Sequence, residues 1–454
     1  MRALVHGFAI TGQSTVRALC NRGVEVVVTD DAIDPDKQAR AAQLGVEIGS
    51  LPGRLDDWVG GFDLVSPSPG VPERHPLLLA AAAASVPVWS EIELAYRWER
   101  DRPGGPRPIL AVTGTDGKTT TTELTVAILR AAGLRAEALG NTDVPLVDAV
   151  DSDLDVLVVE CTSFRLAFVE RFRADAAVWL NLAPDHLNWH ASMETYEASK
   201  ANLFRLQSPS DTAIGFVDDP AVMRHLSEAP GHRRTFGRDG ADYHLAGNVL
   251  MGPTGPIADV EVMRRRLPHD ITNALAASAL VLEAGLVEPA AIATALATFT
   301  APPHRLEPVG AADGVEWFND SKATTPHAAS AAIRAFDSLV LIAGGSRKGV
   351  DLSPMGAEAH RVRAVVAIGE AAGDISAVFA PTTTVVEADD MEQAVALAAS
   401  LARCGDAVVL SPGCASFDWY SGYPARGDHF RRLVLEHLAR RRAAAPSRSM
   451  GATP

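Results

Sequence analysis

One glycine-containing stretch, VTGTDGKTTT at residues 112–121, constrains the fold of this chain more than any other segment. The apolar run before it, residues 109–112, is typical of a buried strand, and apolar residues recur at helical spacing over residues 123–130. The stretch therefore predicts a strand, a glycine loop and the first turn of a helix. Backbone N–H groups at such a helix start favour a bound phosphate.

The loop carries the residue types that a nucleotide phosphate needs. Gly114 and Gly117 would let the backbone come close, Lys118 would supply a cation, and Thr119 a hydroxyl for a phosphate-bound Mg²⁺. The full phosphate-loop pattern has glycine where this chain has Val112, so the match is to the shorter form Gly-Thr-x-Gly-Lys-Thr-Thr. A threonine-rich helix cap with a surface lysine is the alternative. The predicted phosphate-binding residues are Gly114, Thr115, Asp116, Gly117, Lys118, Thr119 and Thr120.

Length, charge and cysteine usage limit the classes of protein to which this chain can belong. A chain of 454 residues is too long for one core, so roughly two to four domains are expected. The net charge of −15 argues against nucleic acid as a partner, because binding a phosphate backbone needs a basic surface. No apolar run reaches membrane-spanning length, the N-terminus is typical of a strand rather than a signal peptide, and the four cysteines show no metal or disulfide spacing. These features predict a cytoplasmic protein that does not bind membranes.

Strand-type runs alternate with helical runs along the chain, which predicts an α/β fold with parallel sheets. We expect a Rossmann-like N-terminal domain over residues 1–105, a central domain of the P-loop ATPase type over residues 106–303, and a Rossmann-like C-terminal domain over residues 304–438. A proline- and glycine-rich segment, residues 100–108, is interpreted as the first linker. The tail, residues 439–454, is predicted to be disordered.

Polar residues follow two buried-type strands of the central domain. Glu160 ends one strand, and Asp185 and His186 follow another. Ligands of parallel sheets bind beyond the carboxyl ends of the strands, so these side chains are expected near the phosphate loop. Glu160 would hold Mg²⁺ or a water, with His186 as a second ligand or an orienting group. A solvated strand end is the alternative for Glu160.

The first strand is followed by HGFAITG at residues 6–12, which is similar to a dinucleotide fingerprint with Ala9 in place of the middle glycine. Asp30 and Asp31 end the second strand, about where a ribose-binding acid would fall. An NAD-dependent oxidoreductase and a non-catalytic nucleotide-binding protein are therefore open hypotheses. The missing glycine counts against NAD, because the backbone approaches the pyrophosphate there.

Two further segments are ambiguous from their residues alone. In WFNDSKATT, residues 317–325, Asp320 could accept from ribose hydroxyls, and Lys322 and Arg305 could meet phosphates. An ordinary polar loop is the alternative. Lys200 lies in a helical run, and its own context favours a surface lysine.

The motifs in this order resemble those of the Mur ligases, ATP-dependent amide-forming enzymes of peptidoglycan precursor synthesis. The resemblance covers residues 1–435 and includes GTDGKTT, where the family more often has Asn at position 116. The other shared motifs are DH at 185–186, Lys200, TNALAA at 272–277, HR at 304–305 and NDSKAT at 319–324.

Within the family, the chain is most similar to the branch that adds D-glutamate. The points of similarity are SPG at 68–70, GN at 140–141, ECTSFRL at 160–166, LSPGCAS at 410–416 and RGDHF at 426–430. This chain departs from the family at two places that concern substrate contacts. Family members often have Phe where this chain has Tyr423, and Arg or Lys where it has Asp31-Ala32. A related ligase that uses another amino acid, such as a folylpolyglutamate-type enzyme, is the alternative.

The resemblance implies a role for each candidate residue. The implied catalytic residues are Lys118, Glu160, His186 and Lys200, and the implied ligands of two Mg²⁺ are Thr119, Glu160, His186 and a carbamylated Lys200. ATP would be bound by the loop residues together with Asn273, Arg305, Asp320 and Lys322. The implied UDP-sugar residues are Ile10, Thr11, Asp30, Ser68 and Asn141, and the implied D-glutamate residues are Thr324, Lys348, Ser416 and Tyr423.

The implied reaction joins D-glutamate to UDP-N-acetylmuramoyl-L-alanine through an acyl phosphate made from ATP. It would belong to peptidoglycan synthesis, and hence to cell wall biogenesis, cell shape, cell division and the cell cycle. The expected partners are these small molecules, and the expected state is a cytoplasmic monomer.

Overall fold

The computed structural model describes residues 1–347 and 351–444. The chain divides into two compact units, Met1–Thr300 and Ala301–Pro454. The first unit contains two β-sheets and the second contains one.

The N-terminal part of the first unit alternates strands and helices. Its elements are β1 (Arg2–His6), α1 (Ile10–Asn21), β2 (Glu25–Thr29), α2 (Pro35–Gln43), β3 (Ile48–Gly49), α3 (Asp56–Val59), β4 (Leu64–Pro67), α4 (Pro76–Ala83) and α5 (Glu91–Arg100). The strands form a parallel sheet in the order β3-β2-β1-β4. The chain order reverses beside β1, so its carboxyl end opens onto the crevice where such sheets bind ligands.

The remainder of the first unit forms a sheet of nine strands around the phosphate loop. Its elements are β5 (Ile109–Thr113), α6 (Lys118–Ala131), β6 (Ala136–Gly140), α7 (Leu146–Ala149), β7 (Val156–Glu160), α8 (Ser163–Leu166), β8 (Ala176–Trp179), α9 (Met193–Arg205), β9 (Thr212–Phe216), α10 (Pro220–Glu228), β10 (His232–Gly237), β11 (Tyr243–Ala246), β12 (Val249–Gly252), β13 (Gly255–Asp259), a 3-10 turn (Val260–Val262), α11 (Pro268–Glu283) and α12 (Pro289–Thr298). The order is β13-β12-β11-β10-β9-β8-β5-β7-β6, antiparallel only at the β11–β12 and β12–β13 pairs.

Strand β5 is buried on both faces, which explains its uninterrupted apolar run. Leu110 and Val112 pack in a core that includes side chains of α6 and α11. Ile109 and Ala111 face the other way, into a core that includes side chains of α5 and α9. Burial of each large apolar side chain contributes about 1.5–3 kcal/mol, so helices on both faces fix β5 at the centre of the sheet. The phosphate loop therefore starts from a rigid strand.

The second unit has a six-stranded sheet in the order β14-β15-β19-β16-β17-β18, parallel except for the β14–β15 hairpin. Its elements are β14 (Glu307–Ala312), β15 (Val315–Asn319), α13 (Pro326–Arg334), β16 (Leu339–Gly344), α14 (Ser353–Gly356), a 3-10 turn (Ala359–Arg361), β17 (Val362–Ile368), α15 (Ala372–Phe379), β18 (Thr384–Ala388), α16 (Met391–Leu401), β19 (Ala407–Leu410) and α17 (Tyr423–Ala444).

The predicted α/β class is confirmed, with one largely parallel sheet for each of the three predicted domains. The domain boundaries themselves stay predictions. Helix α17 continues to Ala444, so residues 439–444 are helical and not disordered as predicted, and the rest of the predicted tail lies outside the described residues. Within residues 1–347 and 351–444, no helix is long and apolar enough to cross a membrane.

Candidate active site

The phosphate loop has the predicted strand, loop and helix, and Gly117 has a backbone conformation that favours glycine. Gly117 has a φ of +84° and directly precedes α6. A Cβ there would lie 2.8 Å from the Oδ1 atom of Asn273 on α11, closer than real Cβ contacts. The hydroxyl of Thr121 donates to the same oxygen at 3.2 Å. The fold thus brings Asn273 against the loop, while Thr119 lies half-buried in the first turn of α6.

Asn181, which sequence reasoning missed, holds the loop in shape. Its Oδ1 accepts from the backbone N–H groups of Thr115 and Asp116 at 3.0 and 2.9 Å. The Thr115 hydroxyl lies 3.0 Å from the hydroxyl of Tyr196 on α9. Asn181 follows β8 by two residues, so the strand-end rule that selected Asp185 and His186 could have found it.

Two lysines converge on one carbonyl of the loop. The Nζ of Lys118 donates to the carbonyls of Gly114 and Thr115 at 3.0 and 2.7 Å, and the Nζ of Lys200 donates to that of Gly114 at 2.7 Å. Lys200 is only 1% exposed, so the interpretation as a surface lysine is wrong. Burial, followed by the charge of Lys118, lowers the pKa of Lys200 well below its ordinary value.

Glu160 offers a buried carboxylate oxygen at the end of β7. The residue is 1% exposed, and its Oε1 accepts from the side-chain amide of Asn141 at 2.7 Å. Among the residues that the structure describes, no donor reaches its Oε2. A buried carboxylate oxygen without a partner is costly, and a cation would remove that cost. The arrangement therefore fits an oxygen ligand of Mg²⁺.

His186 stands in a tight turn with Asp185. It has a φ of +56°, and its Nε2 lies 3.1 Å from the Oδ2 of Asp185. Burial lowers the pKa of His186 to about 4; Asp185 opposes this shift, while the charges of Lys118 and Lys200 add to it. The imidazole is therefore neutral near pH 7 and able to act as a ligand or acceptor.

The lowered pKa of His186 predicts a pH dependence of stability. The unfolded residue gains its proton near pH 6.5 and the folded one near pH 4, so protonation favours the unfolded chain. Above pH 6.5 the residue is neutral in both states, and protonation does not reduce the free energy of unfolding. We expect this free energy to fall as the pH drops from 6.5 towards 4. NMR titration of the His186 ring should give a midpoint near 4, and His186→Asn should flatten the pH profile. A midpoint near 6.5 would contradict the burial argument.

Arg165 links residues predicted to bind the UDP-sugar. Its buried guanidinium pairs with Glu91 at 2.9 Å and donates to the Thr11 hydroxyl at 3.3 Å and the Asn141 side-chain oxygen at 3.0 Å. Thr11 lies on α1, beside the first sheet, and Asn141 directly follows β6 of the second, so one side chain ties the two parts together. Because Asn141 also touches Glu160, this chain of contacts reaches the candidate metal ligand.

The other three UDP-sugar candidates surround the loop after β1. Ser68 donates to the carbonyl of Gly7 at 2.6 Å, and Asp30 accepts from the N–H of Phe8 at 2.7 Å. Burial alone would raise the pKa of Asp30, but hydrogen bonds from Lys37 and two backbone amides lower it overall. Ile10 begins α1 and is 64% exposed. Ile10 is thus the candidate that presents apolar surface at this edge.

In the second unit, the loops after the neighbouring strands β15 and β19 meet at one edge of the sheet. Asp320, after β15, accepts from the hydroxyl of Ser411, after β19, at 2.8 Å. Lys322 places its Nζ 3.9 Å from the centre of the Tyr423 ring, a cation–π contact. Arg305 is half-buried between His304 and Leu306, both with positive φ.

Arg426 fixes two of these loops and received no role from sequence. Its guanidinium is buried and donates to the backbone carbonyls of Ser321, Cys414 and Ala415. These bonds hold the loop that contains Thr324 beside the loop that contains buried Ser416. Burial lowers the pKa of Arg426 to about 10, so it stays charged near pH 7. The remaining D-glutamate candidate, Lys348, lies outside the described residues.

Comparison with known proteins covers most of the chain. Three family models match, described as a Mur ligase MurD-like N-terminal domain at residues 1–90, a Mur ligase middle domain at 112–281 and a Mur ligase glutamate ligase domain at 304–414. A protein of Frankia casuarinae named UDP-N-acetylmuramoylalanine–D-glutamate ligase is 44% identical, over 95% of this chain and 93% of its own length. A protein of Mycolicibacterium vanbaalenii with the same name is 38% identical, over 95% of this chain and 97% of its own.

Among solved structures, a pseudomurein peptide ligase type C from Methanothermus fervidus has a similar fold. Its TM-score is 0.60, and the match covers 96% of this chain and 99% of that one. The identity is 17%, so this likeness concerns the fold alone.

Proposed function

This chain belongs to the Mur ligase family, and we propose that it joins D-glutamate to UDP-N-acetylmuramoyl-L-alanine at the expense of ATP, in peptidoglycan synthesis. One observation of the site carries the proposal: Lys118 and Lys200 converge on the Gly114 carbonyl at the start of a phosphate loop. That arrangement suits chemistry on a nucleotide phosphate, and the named relatives indicate which acid and amine take part.

The reaction needs activation, because a carboxylate oxygen is a poor leaving group. A carboxylate oxygen of the L-alanyl end attacks the γ-phosphorus of ATP, ADP leaves, and an acyl phosphate results. The D-glutamate amine then attacks the acyl carbon, phosphate leaves, and the nitrogen loses a proton as the amide forms. The first step brings two anions together. Lys118 and the N–H groups at the start of α6 would offset that repulsion and the charge of the transition state.

Mg²⁺ would be held at two sites by Thr119, Glu160, His186 and a carbamylated Lys200. When bound, it neutralises charge on the phosphoryl oxygens. The lone Oε2 of Glu160 and the neutral His186 both fit a cation ligand set. Asn141 orients Glu160 by occupying its other oxygen.

The environment of Lys200 supports the proposed carbamylation. A lowered pKa leaves the amine neutral more often, and only the neutral nitrogen attacks CO₂. The nitrogen then loses a proton, and the product is an N-carboxylate anion, which is attracted to Lys118 and provides oxygen ligands. In this proposal Lys200 changes from an amine beside Gly114 into an anion that shares a metal.

In the second unit, we assign Arg305, Asp320 and Lys322 to ADP, with Asn273 from the first. We assign Thr324, Lys348, Ser416 and Tyr423 to D-glutamate. The hydrogen bonds from Ser411 to Asp320 and from Arg426 to Ser321 support these assignments by preorganising the strand ends. A cytoplasmic monomer remains the prediction for the state of the protein.

Glu160→Gln tests the metal assignment. The amide can still accept from Asn141 but lacks the second anionic oxygen, so we expect the half-saturating Mg²⁺ concentration to rise at least about tenfold. The measurement is phosphate release from ATP at increasing Mg²⁺. Glu137→Gln, on the neighbouring strand β6, is the matched control and should behave like the wild type. An unchanged Mg²⁺ dependence in Glu160→Gln would remove Glu160 from the metal site.

The function is tested by phosphate release from ATP with UDP-N-acetylmuramoyl-L-alanine, screened against single amino acids of both hands. We expect release to require D-glutamate. Release with a different amino acid would keep the mechanism and overturn the D-glutamate assignment, as for the folylpolyglutamate-type alternative. If no amino acid causes phosphate release, UDP-N-acetylmuramoyl-L-alanine is not the substrate to which the amino acid is joined.

A further inference from the structure

Two histidines and an aspartate meet at the carboxyl end of the first sheet, and none of the three is among the UDP-sugar candidates. His6 ends β1, Asp31 follows β2, and His75 directly precedes α4. The Nε2 of His6 lies 3.5 Å from Asp31 Oδ1, and the Nε2 of His75 lies 3.2 Å from Asp31 Oδ2. One ligand atom from each residue falls within 4.8 Å of the other two.

The spacing of these atoms matches a tetrahedral metal shell. Ligand atoms at bond lengths of about 2.0–2.1 Å from Zn²⁺ are separated by roughly 3.3 Å along each edge of the tetrahedron. The Nε2 atoms of His6 and His75 lie 3.5 and 3.2 Å from the two different carboxylate oxygens of Asp31, on either side of that value. No large movement of the three side chains is therefore needed to bring them around one ion.

The surroundings of His6 support the same role. Its Nδ1 lies 2.9 Å from the Thr29 hydroxyl in the neighbouring strand. If the hydroxyl accepts from Nδ1–H, the lone pair is on Nε2 and is free to bind a metal. A metal-bound histidine usually donates its other ring N–H to an oxygen acceptor of this kind. His6 is buried and so is positioned by the sheet, while Asp31 is 64% exposed on its side chain and open to solvent. An ion could thus enter from the Asp31 side.

We propose that His6, Asp31 and His75 form a binding site for Zn²⁺ or a similar divalent transition metal, with a fourth position left for water. Two imidazoles favour such an ion over Mg²⁺, which prefers an all-oxygen shell. Binding through Nε2 of His75 puts its proton on Nδ1, so the long 3.3 Å contact from the N–H of Leu77 would be given up. The site is separate from the phosphate loop and does not depend on the ligase reaction.

Cobalt titration of the full-length protein tests this site independently of activity. Metal-free protein in excess Mg²⁺ would be titrated with Co²⁺, whose visible absorption reports four-coordinate geometry, and Zn²⁺ would then be added to displace it. The variants are Asp31→Asn, at an exposed position that should tolerate the change, and His75→Gln. Asp36→Asn is the matched control, because Asp36 is exposed on α2 just beyond the cluster. Thermal unfolding without metal would check that each variant is folded.

We expect one Co²⁺ per chain, displaced by Zn²⁺, and an affinity at least about tenfold weaker in both ligand variants and unchanged in the control. Zn²⁺ should also raise the melting temperature of the wild type and not that of Asp31→Asn. Binding of equal strength in Asp31→Asn or in His75→Gln would overturn the proposal, since the metal would then lie elsewhere, such as at His186. Absence of four-coordinate absorption in the wild type would overturn it as well.

Discussion

Lys118→Ala is expected to lower turnover at least about 30-fold, which corresponds to about 2 kcal/mol or more of transition-state stabilisation. The ammonium lies within the loop, 2.7 and 3.0 Å from two backbone carbonyls, so it is preorganised for a phosphate that approaches the start of α6. Alanine would remove the cation and leave the backbone N–H groups in place. The loss should therefore appear mainly in turnover, measured as phosphate release at saturating ATP.

The control for this variant is Arg130→Ala, which removes a cation from the exposed last turn of the same helix. It should keep near wild-type turnover, because its charge is far from the loop. Melting temperatures of both variants would show whether the fold is retained. Near wild-type turnover in Lys118→Ala would contradict the assignment of this loop to a phosphate.

The parts of the site that sequence located are those governed by local rules. Gly117 and Lys118 were found because a strand, a glycine turn and a helix start are all encoded within a few residues. Glu160 and His186 were found because strand ends in parallel sheets converge on one edge. In each case the position of the side chain follows from the element that immediately precedes it, so no knowledge of distant packing was needed.

Lys200 shows where local rules stop. Nothing in its helical run indicates burial, which arises because α9 packs with this lysine facing Gly114. The start of that helix is fixed by the Ser192 cap and by Glu73, a residue of the N-terminal domain that accepts from Thr195. Contacts between residues 86 and 122 positions apart therefore shape the environment of Lys200, and only the family resemblance gave it a role.

The strands of the fold also divide into those that local sequence predicts and those that depend on distant packing. Buried strands such as β5 and β7 were predicted from their uninterrupted apolar runs. The strands β12, β13 and β14, which lie at or next to a sheet edge, were not predicted, because each is partly exposed and mixes glycine or proline with short apolar pairs. Their pairing depends on the neighbouring strand rather than on their own pattern.

Lys200→Ala is expected to lower turnover at least about 100-fold and to be partly rescued by added formate, acetate or propionate. If Lys200 acts as a carbamate, the variant lacks an anionic oxygen ligand, and a small carboxylate can enter the space left by the side chain and supply it. Rescue should therefore depend on the size and charge of the additive. The measurement is phosphate release against carboxylate concentration, with chloride at equal ionic strength as reference.

The sign of the rescue decides which charge Lys200 carries when it works. The buried amine has a lowered pKa and lies beside Lys118, so a working cation there would be disfavoured and a carbamate favoured. Rescue by ethylammonium in place of acetate would contradict the carbamate, and an unaffected variant would remove Lys200 from the site. Glu194→Ala, at an exposed position on the same helix, should respond to neither additive. With ¹³C-labelled bicarbonate, the wild type should show a carbamate carbon resonance that Lys200→Ala lacks, which ties the rescued function to the modified side chain.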